Sequence, residues 1–394
     1  MIPKRIALFS GAYNHIADGV SLTLNRLVKY LVNNGTDVRV FAPTIKRPAI
    51  SHAGTLIPAP SLPLPGRPEY KISTGLSRSL RAEIEAFDPD IIHIATPDVL
   101  GYQALRYAKK HGIPVVSSYH THFTSYLKYY KLGVAESLMW KYLRWFYGAC
   151  EQIYVPSESM AEVLREHGIT ENLYLWERGV LIDRFNPEKR SSAWRENLGI
   201  QEDEVVISFI SRLVWEKGLD IFAEVIDTLK KKGIRHRSVI VGDGPAREEL
   251  QTRLHATLFL GYQRGDDLAT AYASSDIFLF PSETETFGNV TLEAMASGLP
   301  SVCADATGSS SLLRDGVTGY LADPRIAAAF QKHVDALIEN PVLRGTMGRL
   351  ARKEALNYAW PVILGRLDGY YNSLLGLKSA RGEERKQKGR MASA

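Results

Sequence analysis

The sequence predicts an α/β fold of two doubly wound domains, each a parallel sheet with helices on both faces. Three observations carry this. Short apolar runs alternate with helical patterns along the chain, the rhythm of strand–helix–strand units. The runs fall into two sets that echo one another weakly: Asp90-Ile91-Ile92-His93 resembles Asp276-Ile277-Phe278-Leu279, and Pro156-Ser157-Glu158 follows one strand as Pro281-Ser282-Glu283 follows another. The length, 394 residues, exceeds what a single core ordinarily serves.

In the first set, strands are expected at 6–9, 38–41, 91–94, 115–118 and 152–155, with helices at 21–33, 100–111 and 157–167. The second set has strands at 205–210, 238–241, 258–259, 277–280 and 301–303, with helices at 219–231 and 267–273. The boundary falls in the irregular polar stretch that Arg178-Gly179-Val180 opens. This gives domains at 1–180 and 181–356. An amphipathic helix within 357–377 is expected to pack back toward the first domain. A basic tail, 378–394, is expected to be disordered. Ligands of such folds sit outside the carboxyl ends of the strands, so two facing domains would form one central cleft.

Composition is that of a soluble globular chain, 45% hydrophobic and 23% charged. The two cysteines, Cys150 and Cys303, lie in apolar surroundings and read as buried thiols of a reducing compartment. Residues 2–10 form a first strand, their apolar stretch being too short for a signal peptide. No run of about 18 apolar residues suggests a transmembrane helix. The net charge of +5 is mild, and no nucleic-acid partner is expected. Its distribution is informative. Between 123 and 147, Lys128, Lys131, Lys141 and Arg144 face only Glu136, among Tyr126, Tyr129, Tyr130, Trp140, Tyr142, Trp145, Phe146 and Tyr147. Basic and aromatic residues in an amphipathic segment suit an anionic membrane surface. The plainer alternative is a helix with its aromatics inward and a solvated basic face.

The most specific stretch is 282–300. Glu285 and Glu293 lie eight positions apart around Phe287-Gly288-Asn289. A buried strand precedes them, and the helix that follows closes at Gly298 with Pro300 beyond. Backbone N–H groups at that helix start lack intrahelical partners and favour an oxygen-rich, anionic ligand such as a sugar nucleotide. Arg212 and Lys217 stand five positions apart after another strand, where two cations can neutralise a diphosphate. Alone, such a pair is common on surfaces. Gly242-Asp243-Gly244-Pro245 is a weak Gly-x-Gly motif. Without an N-terminal Gly-x-Gly-x-x-Gly it does not support a dinucleotide-dependent dehydrogenase.

Taken in order, Arg212-x4-Lys217-Gly218, Gly242-Asp243-Gly244-Pro245, Tyr272-Ala273-Ser274-Ser275-Asp276, Pro281-Ser282, Glu285-x7-Glu293-Ala294-Met295-Ala296-Ser297-Gly298 and Asp315-Gly316-Val317-Thr318-Gly319 resemble the retaining glycosyltransferases of family 4. That family has the GT-B fold of two Rossmann-like domains. The resemblance implies that Arg212 and Lys217 bind the donor diphosphate. Glu285, with the N–H groups of Phe287, Gly288 and Asn289, would hold the donor sugar. Glu293 would take the ribose hydroxyls, and Gly242, Tyr262 and Gln263 would lie near the nucleotide. Gly11 and Gly19 flank the loop after the first strand. Relatives often carry two adjacent glycines there, but Val20 follows Gly19, so only Gly19 carries over. In Ser118-Tyr119-His120-Thr121-His122, His120 resembles the histidine beside the reacting sugar; His122 is the weaker candidate. The chain departs from the family at Gly308-Ser309-Ser310-Ser311, where many relatives have Gly-Gly and an acidic residue, so a sugar or nucleotide preference different from the commoner members is expected.

The mechanism implied is transfer from a UDP- or GDP-linked sugar without cofactor or metal, with Arg212, Lys217 and helix dipoles stabilising the leaving group. Front-face retention is favoured over a Glu285 nucleophile of the glycosidase kind. Residues 117–130 resemble members that glycosylate diacylglycerol-type lipids, such as sulfoquinovosyldiacylglycerol synthases and glycolipid α-mannosyltransferases. The acceptor would then be a membrane lipid met by Tyr126, Lys128, Tyr129, Lys131, Trp140, Lys141 and Arg144, with the protein peripheral on the inner face of the cytoplasmic membrane. A soluble or polysaccharide acceptor is the alternative. A sugar-nucleotide epimerase or a silent binding protein fits the four charged residues less well.

Overall fold

The computed structural model describes residues 3–64, 67–119, 133–285 and 287–391. The chain forms two compact units, Met1–Trp176 with Leu364–Ala394, and Glu177–Ile363.

In the first unit the strands are β1 (Arg5–Phe9), β2 (Asp37–Ala42), β3 (Thr55–Pro58), β4 (Ser61–Leu64), β5 (Arg67–Ser73), β6 (Ile91–Ile94), β7 (Val115–Ser118), β8 (Gln152–Val155) and β9 (Leu173–Leu175). Seven form one sheet in the order β3-β2-β1-β6-β7-β8-β9, every pairing parallel. The remaining two, β4 and β5, pair antiparallel as a separate ribbon. Strands β6, β7 and β8 are buried at every position, as expected of parallel strands covered on both faces. Helices Gly19–Asn33, Arg78–Phe87, Val99–His111 and Glu158–Glu166 each begin at an Asp or Ser whose side chain accepts from a first-turn N–H: Asp18, Ser77, Asp98 and Ser157.

The second unit holds β10 (Val205–Ile210), β11 (His236–Val241), β12 (Leu258–Phe259), β13 (Ile277–Phe280), β14 (Ser301–Ala304) and β15 (Gly319–Ala322), all parallel in the order β12-β11-β10-β13-β14-β15. Counted from β10 this is the 3-2-1-4-5-6 winding, whose direction reverses between β10 and β13. Sheet and helices enclose one apolar core, from Val206 and Phe209 to Phe278 and Met295.

The segment joining the sheets stays with the second unit. Val180 N–H donates to the Tyr358 carbonyl at 2.8 Å, and a Cβ on Gly179 would meet the Trp360 ring at 2.5 Å. The last helix, Trp360–Met391, therefore begins in the second unit and continues in the first. There the Tyr370 carbonyl accepts from Gln152 Nε2 at 3.3 Å, and Lys4 pairs with Asp368. The helix runs past residue 377, where a disordered tail was expected; the segment is dominated by Lys, Arg, Glu and Gln, which tolerate helix well.

Candidate functional site

The loops after β10 and β13 flank the reversal of the second sheet, and most of the sequence-predicted donor residues stand on them or on the helix Asn289–Ala296 that follows. After β10, residues 211–214 lead into a 3₁₀ turn, Trp215–Lys217, stopped by Gly218. After β13, residues 281–288 lead into the helix Asn289–Ala296. Gly288 starts that helix at φ +90°, and no side chain caps it, so its first N–H groups remain available to a ligand. The loop after β11 comes close enough that a Cβ on Gly242, at φ +138°, would lie 1.8 Å from the Ser211 carbonyl oxygen. Only glycine fits there.

These loops enclose a cavity of about 360 Å³ within the second unit. Arg212, Lys217, Gly242, Tyr262, Gln263, Glu285, Asn289 and Glu293 all line it. The two cations differ sharply. Lys217 Nζ donates to Glu285 Oε1 at 2.7 Å and to Thr284 Oγ1 at 3.0 Å, and its side chain is only 8% exposed. Arg212 is 74% exposed and lies 3.9 Å from Glu216. One cation is fixed before a ligand arrives; the other is a surface side chain able to swing. Glu293 lies on the second turn of the helix Asn289–Ala296. Beside it the Tyr272 hydroxyl is pushed well above its ordinary pKa, first by burial and then by the Glu293 carboxylate. Phe287 is buried with its ring toward Tyr358, so only its backbone can serve a ligand.

Sequence reasoning missed Thr284, Asp243, Leu268 and Val290. The last three line the cavity, and Thr284 holds Lys217. Asp243 sits inside the Gly242–Pro245 motif and Thr284 inside the stretch 282–300, but nothing in their type marks them. The departing segment Gly308-Ser309-Ser310-Ser311 packs directly on the site. A Cβ on Gly308 would lie 2.4 Å from Glu285 Cβ, and Thr307 Oγ1 donates to the Glu285 carbonyl at 2.9 Å.

In the first unit, Gly19 opens the helix Gly19–Asn33, where a Cβ would meet nothing within 4 Å. Asp88 and Asp90, the one Asp-x-Asp pair, are engaged by Arg5: its side chain reaches Asp88 at 2.9 Å and its N–H donates to Asp90 at 2.8 Å. His120, His122, Tyr126, Lys128, Tyr129 and Lys131 lie outside the described residues. Trp140 needs correction as a surface residue. It is 4% exposed and stacks on His167 at 3.8 Å, because the helix Gly133–Tyr147 turns that position to the core. Lys141 and Arg144 are exposed, and among the described aromatics of this stretch the exposed one is Trp145. Cys150 and Cys303 are buried thiols, both pushed up to about 12 by burial.

Residues 17–184 match the family profile described as Glycosyltransferase Family 4, and residues 190–354 the one described as Glycosyl transferases group 1. The sulfoquinovosyl transferase SQD2 of Arabidopsis thaliana is 34% identical over 91% of this chain and 71% of its own length. The chain belongs to glycosyltransferase family 4. A second relative of this glycosyltransferase, the GDP-mannose-dependent alpha-mannosyltransferase of Mycolicibacterium smegmatis, is 33% identical over 96% of this chain and 99% of its own. Among solved structures, sucrose-phosphate synthase from Thermosynechococcus elongatus superposes with a TM-score of 0.74 at 19% identity, covering 95% of this chain and all of its own. Anabaena Alr3699/HepE, solved with UDP, gives 0.70 at 19% over 94% of this chain and 100% of its own. These likenesses establish the GT-B fold with its two Rossmann-like domains.

Proposed function

We propose that this glycosyltransferase moves a hexosyl group, with retention, from a UDP- or GDP-linked sugar to a hydroxyl of a diacylglycerol-type or other membrane glycolipid. The observation that carries the donor half is Lys217, buried against Glu285 at 2.7 Å in a cavity that Glu293 and an uncapped helix start also line. In the reaction the bond from the sugar C1 to the diphosphate oxygen breaks and the diphosphate keeps the electron pair. Lys217, Arg212 and the helix N–H groups stabilise that charge where little water competes. The acceptor oxygen bonds to C1 on the same face, and its proton passes to the departing phosphate oxygen. Glu285 orients the sugar, Glu293 the ribose, and the nucleotide sugar serves as co-substrate with no cofactor or metal. His120 and Gly19 would act from the first domain beside the sugar and the phosphates.

Support for the acceptor half is the relatives' names, which include an alpha-monoglucosyldiacylglycerol synthase of Streptococcus pneumoniae, and an exposed patch on the first unit. There Leu138 is 69% and Trp145 49% exposed beside Lys141. The helix Val99–His111 adds exposed Val99 and half-buried Tyr102, whose ring lies 5.5 Å from Trp145. Apolar and aromatic tips among cations suit a lipid headgroup layer.

A thermal-shift screen of UDP- and GDP-sugars identifies the donor, since a ligand of the folded state alone raises its apparent stability. With that donor and lipid extract, Lys217→Ala, Glu285→Ala and Arg212→Ala should each lower transfer, Lys217→Ala by about 10²-fold or more. Near-normal turnover by all three folded variants would sink the reading.

A further inference from the structure

We propose that Thr284 is a positioning residue that aims the Lys217 ammonium at the donor diphosphate; this rests on the reading of Lys217 given above. An ammonium has three N–H donors and no acceptor. In this site two are committed, one to Glu285 Oε1 at 2.7 Å and one to Thr284 Oγ1 at 3.0 Å. The third is left for the cavity that Lys217 lines. Glu285 alone cannot fix that direction. A carboxylate is acceptor-only with several lone-pair sites, so a lysine on a four-carbon stem can turn about it, or fold onto both oxygens and spend its donors there. A second anchor off the carboxylate removes that freedom.

The Thr284 hydroxyl is suited to the task because it is itself placed. It lies 3.5 Å from the Glu216 carbonyl oxygen, to which it can donate while accepting from Lys217. The Thr284 N–H donates to buried Ser282 Oγ at 3.4 Å. Glu216 and Lys217 belong to the loop after β10, Ser282 and Thr284 to the loop after β13. The hydroxyl therefore couples the two loops on either side of the sheet reversal at the point where the phosphate-facing cation stands. A nucleoside diphosphate entering this cavity meets an ammonium already turned toward it, and the orientation need not be found during reaction.

The test compares Thr284→Val, which keeps the shape and removes the hydroxyl, with Thr284→Ser, which restores it. Donors are GDP-mannose and UDP-glucose, whichever the unmodified protein turns over, and melting temperature is read alongside. Thr284→Val should lower kcat about tenfold, the worth of one hydrogen bond to a charged group, with donor KM within about twofold. Thr284→Ser should recover most of the loss. Unchanged kcat in Thr284→Val, a Ser variant as poor as the Val variant, or a loss that tracks melting temperature would each overturn the proposal. If Thr284→Val does not fold, Thr284→Ala is read by the same criteria. Lys217→Ala separates the two claims. Its full activity would sink the reading of Lys217, whereas its loss together with a fully active Thr284→Val would sink only the role of Thr284.

Discussion

A histidine in the middle of a buried strand must find partners for both ring nitrogens or leave one stranded. His93 on β6 finds them: Nδ1 lies 2.8 Å from the Tyr371 hydroxyl and Nε2 2.5 Å from Ser118 Oγ. Burial lowers its pKa from 6.5 to about 3, so it is neutral when folded. Unfolding returns it to the ordinary value. Below about pH 6.5 the unfolded chain therefore binds a proton that the folded chain refuses. The stability this group contributes is complete above pH 6.5 and declines as pH falls toward 3. His93→Gln should start less stable at pH 7, and its melting temperature should fall less steeply than the parent's between pH 6.5 and 4. Parallel slopes for the two proteins would contradict the buried neutral state. Nothing in Ile91-Ile92-His93-Ile94 announces this arrangement, since one partner is 278 positions away.

At the scale of elements, what could be read from sequence divides by position in the sheet. Interior strands such as β8, β10 and β13 are covered on both faces and appear as largely apolar runs, broken only by Gln152 in β8 and Ser208 in β10. Edge strands are half-exposed and carry at most a short run; β12, Leu258–Phe259, was the edge strand expected from sequence. So β3, β9 and β15 went unseen, as did the β4–β5 ribbon with Pro63 in it. The helix Asn289–Ala296 was legible from its strand, turn and closing glycine, but its far-end support was not. Arg352 Nη1 donates to the Ala296 carbonyl at 2.6 Å and to the Phe185 carbonyl at 2.7 Å, while Nη2 reaches the Ile182 carbonyl at 3.1 Å. One guanidinium thus closes the carboxyl end of the helix whose other end lines the proposed donor cavity, a cation where the helix dipole favours one. Arg352→Ala should cost about 2–3 kcal/mol in chemical denaturation, from lost charged hydrogen bonds and orphaned carbonyls. Arg352→Lys should recover only part, because an ammonium lacks the planar fork. A cost under about 0.5 kcal/mol, the range of ordinary surface changes, would show that the helix end is held otherwise.

Across the whole molecule, Arg212 with Lys217, Gly242, and Glu285 with Glu293 could be assigned to one site because each group follows a parallel strand, and parallel strands deliver their carboxyl ends to one edge. Which tryptophan of the helix Gly133–Tyr147 faces outward was not legible in the same way. Composition does not fix helix rotation, and the structure turns Trp140 inward and Trp145 outward. That difference gives the membrane reading a sharp test. Among the described residues no helix is long and apolar enough to cross a membrane. Attachment through this patch would lie at the headgroup layer. It would combine insertion of Leu138 and Trp145 with attraction of Lys141 to anionic headgroups, the latter worth about 1 kcal/mol per cation, or about fivefold. The protein should therefore float with phosphatidylglycerol vesicles, weakly with phosphatidylcholine ones, and less as salt rises. Lys141→Glu and Trp145→Ser should each weaken flotation about fivefold or more while leaving melting temperature and donor binding unchanged. Trp140→Ser should do the reverse, lowering melting temperature through lost core packing before it touches vesicle binding. If the unmodified protein ignores anionic vesicles, or if Trp145→Ser floats as well as the parent, the exposed patch is a solvated helix face and the acceptor must be sought among soluble glycans.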